Sequence, residues 1–108
     1  MKTVPFTSTT REPDNRVRHL VLSGELDMAA LPELRRPLLE RGKQFDCLVV
    51  DMSGLTFLDS TGIHFLLDLF ADAQREGWLL RIVPGPPQVQ RVLELSGVAE
   101  VLPWASAA

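Results

Sequence analysis

Alternating strand and helix signals predict an α/β domain with a largely parallel sheet. Three observations carry that reading. The run Phe45-Asp46-Cys47-Leu48-Val49-Val50-Asp51-Met52 is nearly continuous in apolar residues, as a central parallel strand covered on both faces would be. Helical apolar spacing lies on both sides of it in the chain, and glycines and prolines punctuate the changes of pattern. The resulting order is strand, strand, helix, strand, helix, strand, helix, strand, in which crossover helices follow an initial strand pair.

Each element has its own signal. Val4 to Thr9 is rich in Thr and places Val4 and Phe6 on one face, predicting a first strand. Glu12-Pro13-Asp14-Asn15 predicts a turn. Val17 to Ser23 reads as the second strand, ended by Gly24. Leu31, Leu34 and Leu38 then recur at helical spacing until Gly42, with Pro32 suited to the first turn and Pro37 predicting a kink. Ser53 to Leu58 is expected as a loop after the central strand. Asp59-Ser60-Thr61-Gly62 opens a long helix that runs to about Gln74 or Glu76 and stops at Gly77. Leu79 to Val83 predicts a strand, and the stiff segment Pro84-Gly85-Pro86-Pro87 starts a helix at Pro86 or Pro87. Val89, Val92, Leu93 and Ser96 form the inner face of that helix, and Gly97 caps it. Glu100 to Leu102 is expected as a short closing strand. Pro103 to Ala108 is expected as a loose tail, with Trp104 free to pack back on the body.

The 108 residues make a single domain, with its core over about 4 to 102. Apolar residues are 45% and charged residues 23%, values that exclude a disordered, collagen-like or coiled-coil plan. The net charge of −3 offers no concentrated positive surface for a nucleic acid backbone. No stretch is apolar enough to insert in a membrane, and Met1 to Thr7 lacks the apolar run of a signal peptide. One cysteine, Cys47, cannot close an internal disulfide, which suits a cytoplasmic, reducing setting; it reads as a small buried apolar residue.

Chemistry gathers at Leu58-Asp59-Ser60-Thr61-Gly62. Loops at the carboxyl ends of strands are where α/β sheets collect functional groups. Two hydroxyls beside an acid at a helix start form a candidate phosphoacceptor, and the same Asp, Ser and Thr are good helix caps; both roles are compatible. Ser60, His64 and Asp68 share one helical stripe and mimic a nucleophile, base and acid. An exposed stripe supplies neither a substrate pocket nor an oxyanion hole, so the residues read as a solvated face and no catalytic residues are assigned. His64, Asp68 and Asp72 lack the closed shell of a metal site, and His19, in a strand, reads as structural. Neither a metal nor a cofactor is expected, since Gly85 among three prolines is no phosphate-cradling loop. In the long helix Ile63, Leu66, Leu67, Phe70 and Ala73 form the expected core stripe. Phe65 and Leu69 fall on nearly the opposite side, at 100° per residue. They are expected as a partner-docking patch beside Ser60, as a surface covered by the C-terminal tail, or as ordinary isolated exposed residues.

Taken together, several segments resemble the STAS family, and within it the bacterial anti-sigma factor antagonists. They are Gly24-Glu25-Leu26-Asp27, Leu48-Val49-Val50-Asp51-Met52, Leu58-Asp59-Ser60-Thr61-Gly62-Ile63 and Arg91-Val92-Leu93-Glu94-Leu95-Ser96-Gly97, which span nearly the whole chain in order. The resemblance implies a mixed sheet of four to five strands with helices mainly on one face. It implies a non-enzymatic protein switch in which Ser60 is phosphorylated by an anti-sigma factor that is also an ATP-dependent serine kinase, with Thr61 as second choice. Unphosphorylated, such a protein captures the anti-sigma factor and frees a sigma factor in a stress response; a serine phosphatase resets it. Asp27, Asp59 and Gly62 match positions near the phosphorylation site, and Ile63, His64, Phe65 and Leu69 are the expected partner-binding residues. His64 stands where the family usually has a small residue, often glycine. A soluble STAS subunit of a lipid or anion transport system, binding an ATPase without phosphorylation, is the alternative role the resemblance implies.

Overall fold

The computed structural model describes residues 7–14, 16–27 and 45–105. The expected helix through Leu31, Leu34 and Leu38, its Pro37 kink and the segment Val4 to Phe6 lie outside the described residues. The elements are β1 (Thr7–Asp14), β2 (Val17–Leu26), β3 (Cys47–Leu58), α1 (Ser60–Glu76), β4 (Leu79–Val83) and α2 (Pro87–Leu95), followed by a 3-10 turn at Val98–Glu100. They form a four-stranded sheet in the order β1-β2-β3-β4. β1 runs antiparallel to β2, while β2, β3 and β4 are parallel neighbours. This is the largely parallel α/β sheet that the alternation of elements predicts, mixed and four-stranded as the family resemblance implies.

Register aligns one apolar face. Leu20, Val50 and Ile82 sit side by side on β2, β3 and β4, as do Arg18, Leu48 and Leu80, and all are buried. The alternate residues Val17, His19 and Val21 of β2 and Cys47, Val49 and Asp51 of β3 are only half-buried. The central strand is therefore covered well on one face, not on both as its apolar run suggests. α1 packs on that covered face through Phe65, Leu66, Leu69 and Ala73, and α2 through Val89 and Leu93. The exposed Arg16–Asp46 ion pair and the edge-to-face contact of Phe45 with Trp78 close the end of the sheet where β2, β3 and β4 begin. Arg18 lies over the Phe45 ring there, 4.9 Å from its centroid, which lets a buried guanidinium meet a π face.

Several boundaries differ from the expectations, each for a local reason. Glu12, Pro13 and Asp14 belong to β1 and not to a turn. Proline lacks a donor, and an edge strand tolerates that; the β1–β2 register shifts between Arg11 and Asp14. Gly24 does not end β2. It takes a positive φ of 88°, and the pairing with β3 shifts register there before running on to Leu26. Ser53 to Leu58 likewise continues β3, because Gly54, Leu55, Phe57 and Leu58 pair with Ser23 to Leu26. The chain after α2 makes the 3-10 turn in place of a strand at Glu100 to Leu102. The tail is not loose through residue 105: the Ile82 amide donates to the Pro103 carbonyl at 3.0 Å, and the Ala105 amide donates to the Ile82 carbonyl at 2.8 Å. Trp104 also anchors itself, its indole N–H donating to the Ala99 carbonyl at 2.8 Å.

The Gly24 bulge gives a direct test of this register. An L-side chain at its φ costs about 1–2 kcal/mol, so Gly24→Ala is expected to lower the urea midpoint by that amount of stability, read by far-UV circular dichroism. Unchanged stability would show that the positive φ is not required.

Candidate functional site

α1 starts on the carboxyl ends of β2 and β3, and Asp59 fixes how. Its backbone is extended, and its Oδ1 accepts hydrogen bonds from the Thr61 amide at 2.9 Å and the Gly62 amide at 3.3 Å. Its own carbonyl accepts from the Ile63 amide at 3.1 Å. Its side chain thus satisfies two of the donors that a helix start leaves open, and its carbonyl takes the first bond of the helical ladder. The Asp59 amide donates to the Leu26 carbonyl at 3.4 Å, which ties the cap to the end of β2 and brings Asp27 beside it. Gly62 lies against Leu26 and Leu58, where a Cβ would collide with the Leu58 side chain and come within 3.0 Å of Leu26 Cγ.

This framework leaves Ser60 exposed at the first position of the helix, with Thr61 and Asp27 half-buried around it. Among the expected site residues, Asp27, Asp59, Ser60, Thr61 and Gly62 are therefore brought to one end of the sheet. His64 is exposed one turn further along, and Ile63 is half-buried on the shoulder of the helix.

Phe65 and Leu69 are elsewhere. They are 3% and 6% exposed and belong to the core, so the expected docking patch does not exist at those two residues. The buried arc is Gly62, Phe65, Leu66, Leu69 and Ala73. Ile63, Leu67 and Phe70, expected at its centre, lie half-buried on its flank. The signal for the true arc is the pair of small residues Gly62 and Ala73, about three turns apart on one line, where the helix approaches the sheet most closely. The outward shoulder that shares a side with Ser60 is thus Ile63, Leu67 and Phe70, at helical spacings from it. Phe57, three residues before Ser60 and 45% exposed, is a further apolar group at this end that sequence reasoning passed over. It went unnoticed because its segment reads as a loop.

The remaining candidates have ordinary explanations. Ser60, His64 and Asp68 lie along one exposed helix face. Arg75 pairs with Asp72 and approaches Glu76. No group of three or more His, Cys, Asp or Glu gathers to hold a metal among the described residues. Cys47 sits half-buried at the opposite end of the sheet. Burial pushes its thiol up, and the charge of Arg81 partly offsets that. No described helix is long and apolar enough to cross a membrane.

The family model described as "Mlab, STAS domain" matches residues 9–103. The chain belongs to the STAS domain family. An anti-sigma F factor antagonist of Paenibacillus polymyxa is 29% identical over 84 residues, covering 76% of this chain and 72% of the relative. The crystal structure of an anti-sigma factor antagonist from Mycobacterium paratuberculosis superposes with a TM-score of 0.78 at 24% identity, covering 95% of this chain and 87% of the other. The Bacillus cell fate determinant SpoIIAA in its phosphorylated form matches with a TM-score of 0.70 at 17% identity, covering 94% and 93% of the two chains. The last two establish that this STAS domain shares their fold.

The two kinds of residue at this site respond differently to substitution. Asp59→Ala is expected to cost about 0.5–2 kcal/mol through the lost cap, while Asp59→Asn retains most of it. Phe65→Ala and Leu69→Ala are expected to cost about 2–5 kcal/mol each, as core truncations do; thermal unfolding of either variant at wild-type stability would return that residue to the surface. Cys47 should react with a disulfide reagent more slowly than free cysteine at neutral pH, because its raised thiol is less ionised there. The rate should rise as pH climbs past the ordinary cysteine range.

Proposed function

We propose that this STAS domain is an anti-sigma factor antagonist, a binding switch without catalytic activity of its own, in which Ser60 is the phosphoacceptor. The observation that carries the reading is the exposure of Ser60 at the first position of a helix whose cap is supplied by its neighbour Asp59. Two relatives named for this role, and a protein of the same fold described in a phosphorylated form, support it. In the proposed cycle the domain binds an anti-sigma factor in the cytoplasm and so frees a sigma factor. The anti-sigma factor is also the kinase: the Ser60 Oγ takes the γ-phosphoryl of ATP, its hydroxyl proton leaves, and ADP departs. A serine phosphatase later hydrolyses the ester. Thr61 is the second-choice acceptor.

The chemistry of the helix end accounts for such a switch. Ile63, Leu67, Phe70 and Phe57 offer apolar contact beside Ser60, and His64 lies at their margin. A phosphate adds roughly −1.5 to −2 charge at neutral pH. The Thr61 and Gly62 amides already serve Asp59, so the new charge arrives next to a carboxylate with those donors taken. Binding a partner across that surface then requires desolvating or opposing a dianion, which weakens the complex. A tenfold loss of affinity needs only about 1.4 kcal/mol.

Incubation with ATP and candidate anti-sigma kinases, followed by intact mass, tests the proposal. One added phosphate is expected on the wild type and none on Ser60→Ala. Phosphate persisting on Ser60→Ala and lost from Thr61→Ala would move the acceptor to Thr61. Absence of phosphate with every kinase, on folded protein, would overturn the switch and favour the alternative of a soluble transport-system subunit that binds an ATPase without phosphorylation.

A further inference from the structure

Ser60 and His64 stand one turn apart on the exposed face of α1, at the i, i+4 spacing that brings side chains together with Cβ atoms about 5–6 Å apart. Among the described residues, the other ionisable groups near that turn and at the end of β2 are acidic: Asp59 at the cap, Glu25 and Asp27 at the end of β2, and Asp68 one turn beyond His64. α1 packs against β3 and β4, and its first turn rests on Leu26 of β2. The cation of β2, Arg18, is buried over the Phe45 ring at the other end of the sheet. The charged residues of β3 and β4 are Asp51, which accepts from the Ser53 amide, and Arg81, which donates to the Leu80 carbonyl; both occupy the alternate positions that face away from α1. Arg75, the cation on α1 itself, pairs with Asp72 roughly 22 Å along the helix. Three amides of the first turn are committed as well, those of Thr61, Gly62 and Ile63, which all donate to Asp59.

We propose that His64 is the built-in counter-charge to a phosphate on Ser60 and makes the phosphorylated state pH-dependent. The inference rests on Ser60 being the phosphoacceptor. An imidazole titrates near pH 6.5 and a phosphate monoester loses its second proton near pH 6, so the two groups change charge over the same range. Each charged form favours the other. Ionisation of the phosphate therefore raises the proton affinity of His64, and protonation of His64 lowers that of the phosphate by the same factor. Asp68 and Asp59 are present in both states and drop out of the comparison. As pH falls through the raised His64 range, an imidazolium offsets part of the new negative charge. Phosphorylation then repels a partner less in mild acid than at pH 8.

The test uses the full chain with phosphoserine installed at position 60 during translation, so no kinase is needed. Phosphorus NMR follows the phosphate, and the ring signals of His64 and His19, the two histidines of the sequence, are followed in the same titration. His64 is expected to titrate about 0.3–0.7 pH unit higher in the phosphorylated chain, roughly a two- to fivefold change in proton affinity. His19, on the sheet face turned away from α1, should not move. In His64→Gln the second ionisation of the phosphate should move to higher pH. Coincident His64 titrations in the two forms, or an unchanged phosphate in His64→Gln, would overturn the proposal. A wild-type chain that no kinase phosphorylates would instead remove the acceptor role of Ser60 and leave this coupling measurable on its own.

Discussion

The contact of Gly62 with Leu26 and Leu58 sets where α1 begins, and the position of Ser60 depends on it. Leu26 and Leu58 are paired at the ends of β2 and β3, both buried. The first turn of the helix rests on them only because Gly62 presents no side chain, a Cβ there meeting both leucines. Asp59 bridges the same junction, its amide on the Leu26 carbonyl and its carboxylate on the helix donors. Sheet register, helix start and cap are thus one packed unit. The register itself requires β2 to continue past Gly24, so a backbone conformation available to glycine in one strand places a serine at the end of the next.

That unit also explains how a partly one-sided sheet suffices. Its core is the layer between the sheet and its helices: Leu20, Leu22, Leu48, Val50, Met52 and Ile82 from the strands, with Leu66, Val89 and Leu93 above them. The opposite face carries smaller or polar side chains, Val17, His19, Ser23, Asp51 and Arg81, which remain half-buried or exposed. Trp104 ties the chain end to β4, so the edge strand of the parallel set gains a further backbone partner.

Much of this was legible in the residues, and the exceptions have physical causes. Helix α1 was readable at both ends because Asp59 and Gly77 are strong local signals whose roles involve the backbone within a few residues of themselves. Pro87 at the start of α2 is readable for the same reason. The extension of β3 through Phe57 was not, since its burial follows two bulges and loses the alternation that marks a strand. The rotation of α1 was misread because Leu, Ile and Phe occupy both the buried arc and its shoulder. Hydrophobicity alone does not rank Phe65 against Ile63; the small residues that permit close approach do. Of the site, the cluster from Asp59 to Gly62 was visible as sequence, whereas its apolar surroundings, Phe57, Leu67 and Phe70, became visible only with the helix orientation fixed.

The separation of roles between Asp59 and Ser60 bears on why a modification here can act without unfolding the domain. Had Ser60 been the N-cap, its hydroxyl would accept the helix amides, and a phosphate would have to replace that bond or break it. Asp59 performs the capping instead, through Oδ1 and through its carbonyl. The Ser60 hydroxyl is then free of capping duty, exposed, and one residue away from the cap. Charge added to it changes the electrostatics of the surface while the packing of Gly62 on Leu26 and Leu58 holds the helix in place. A binding surface of this kind responds through affinity and not through fold, which is the regime in which about 1.4 kcal/mol, a small part of a domain's stability, is enough to change partner occupancy tenfold.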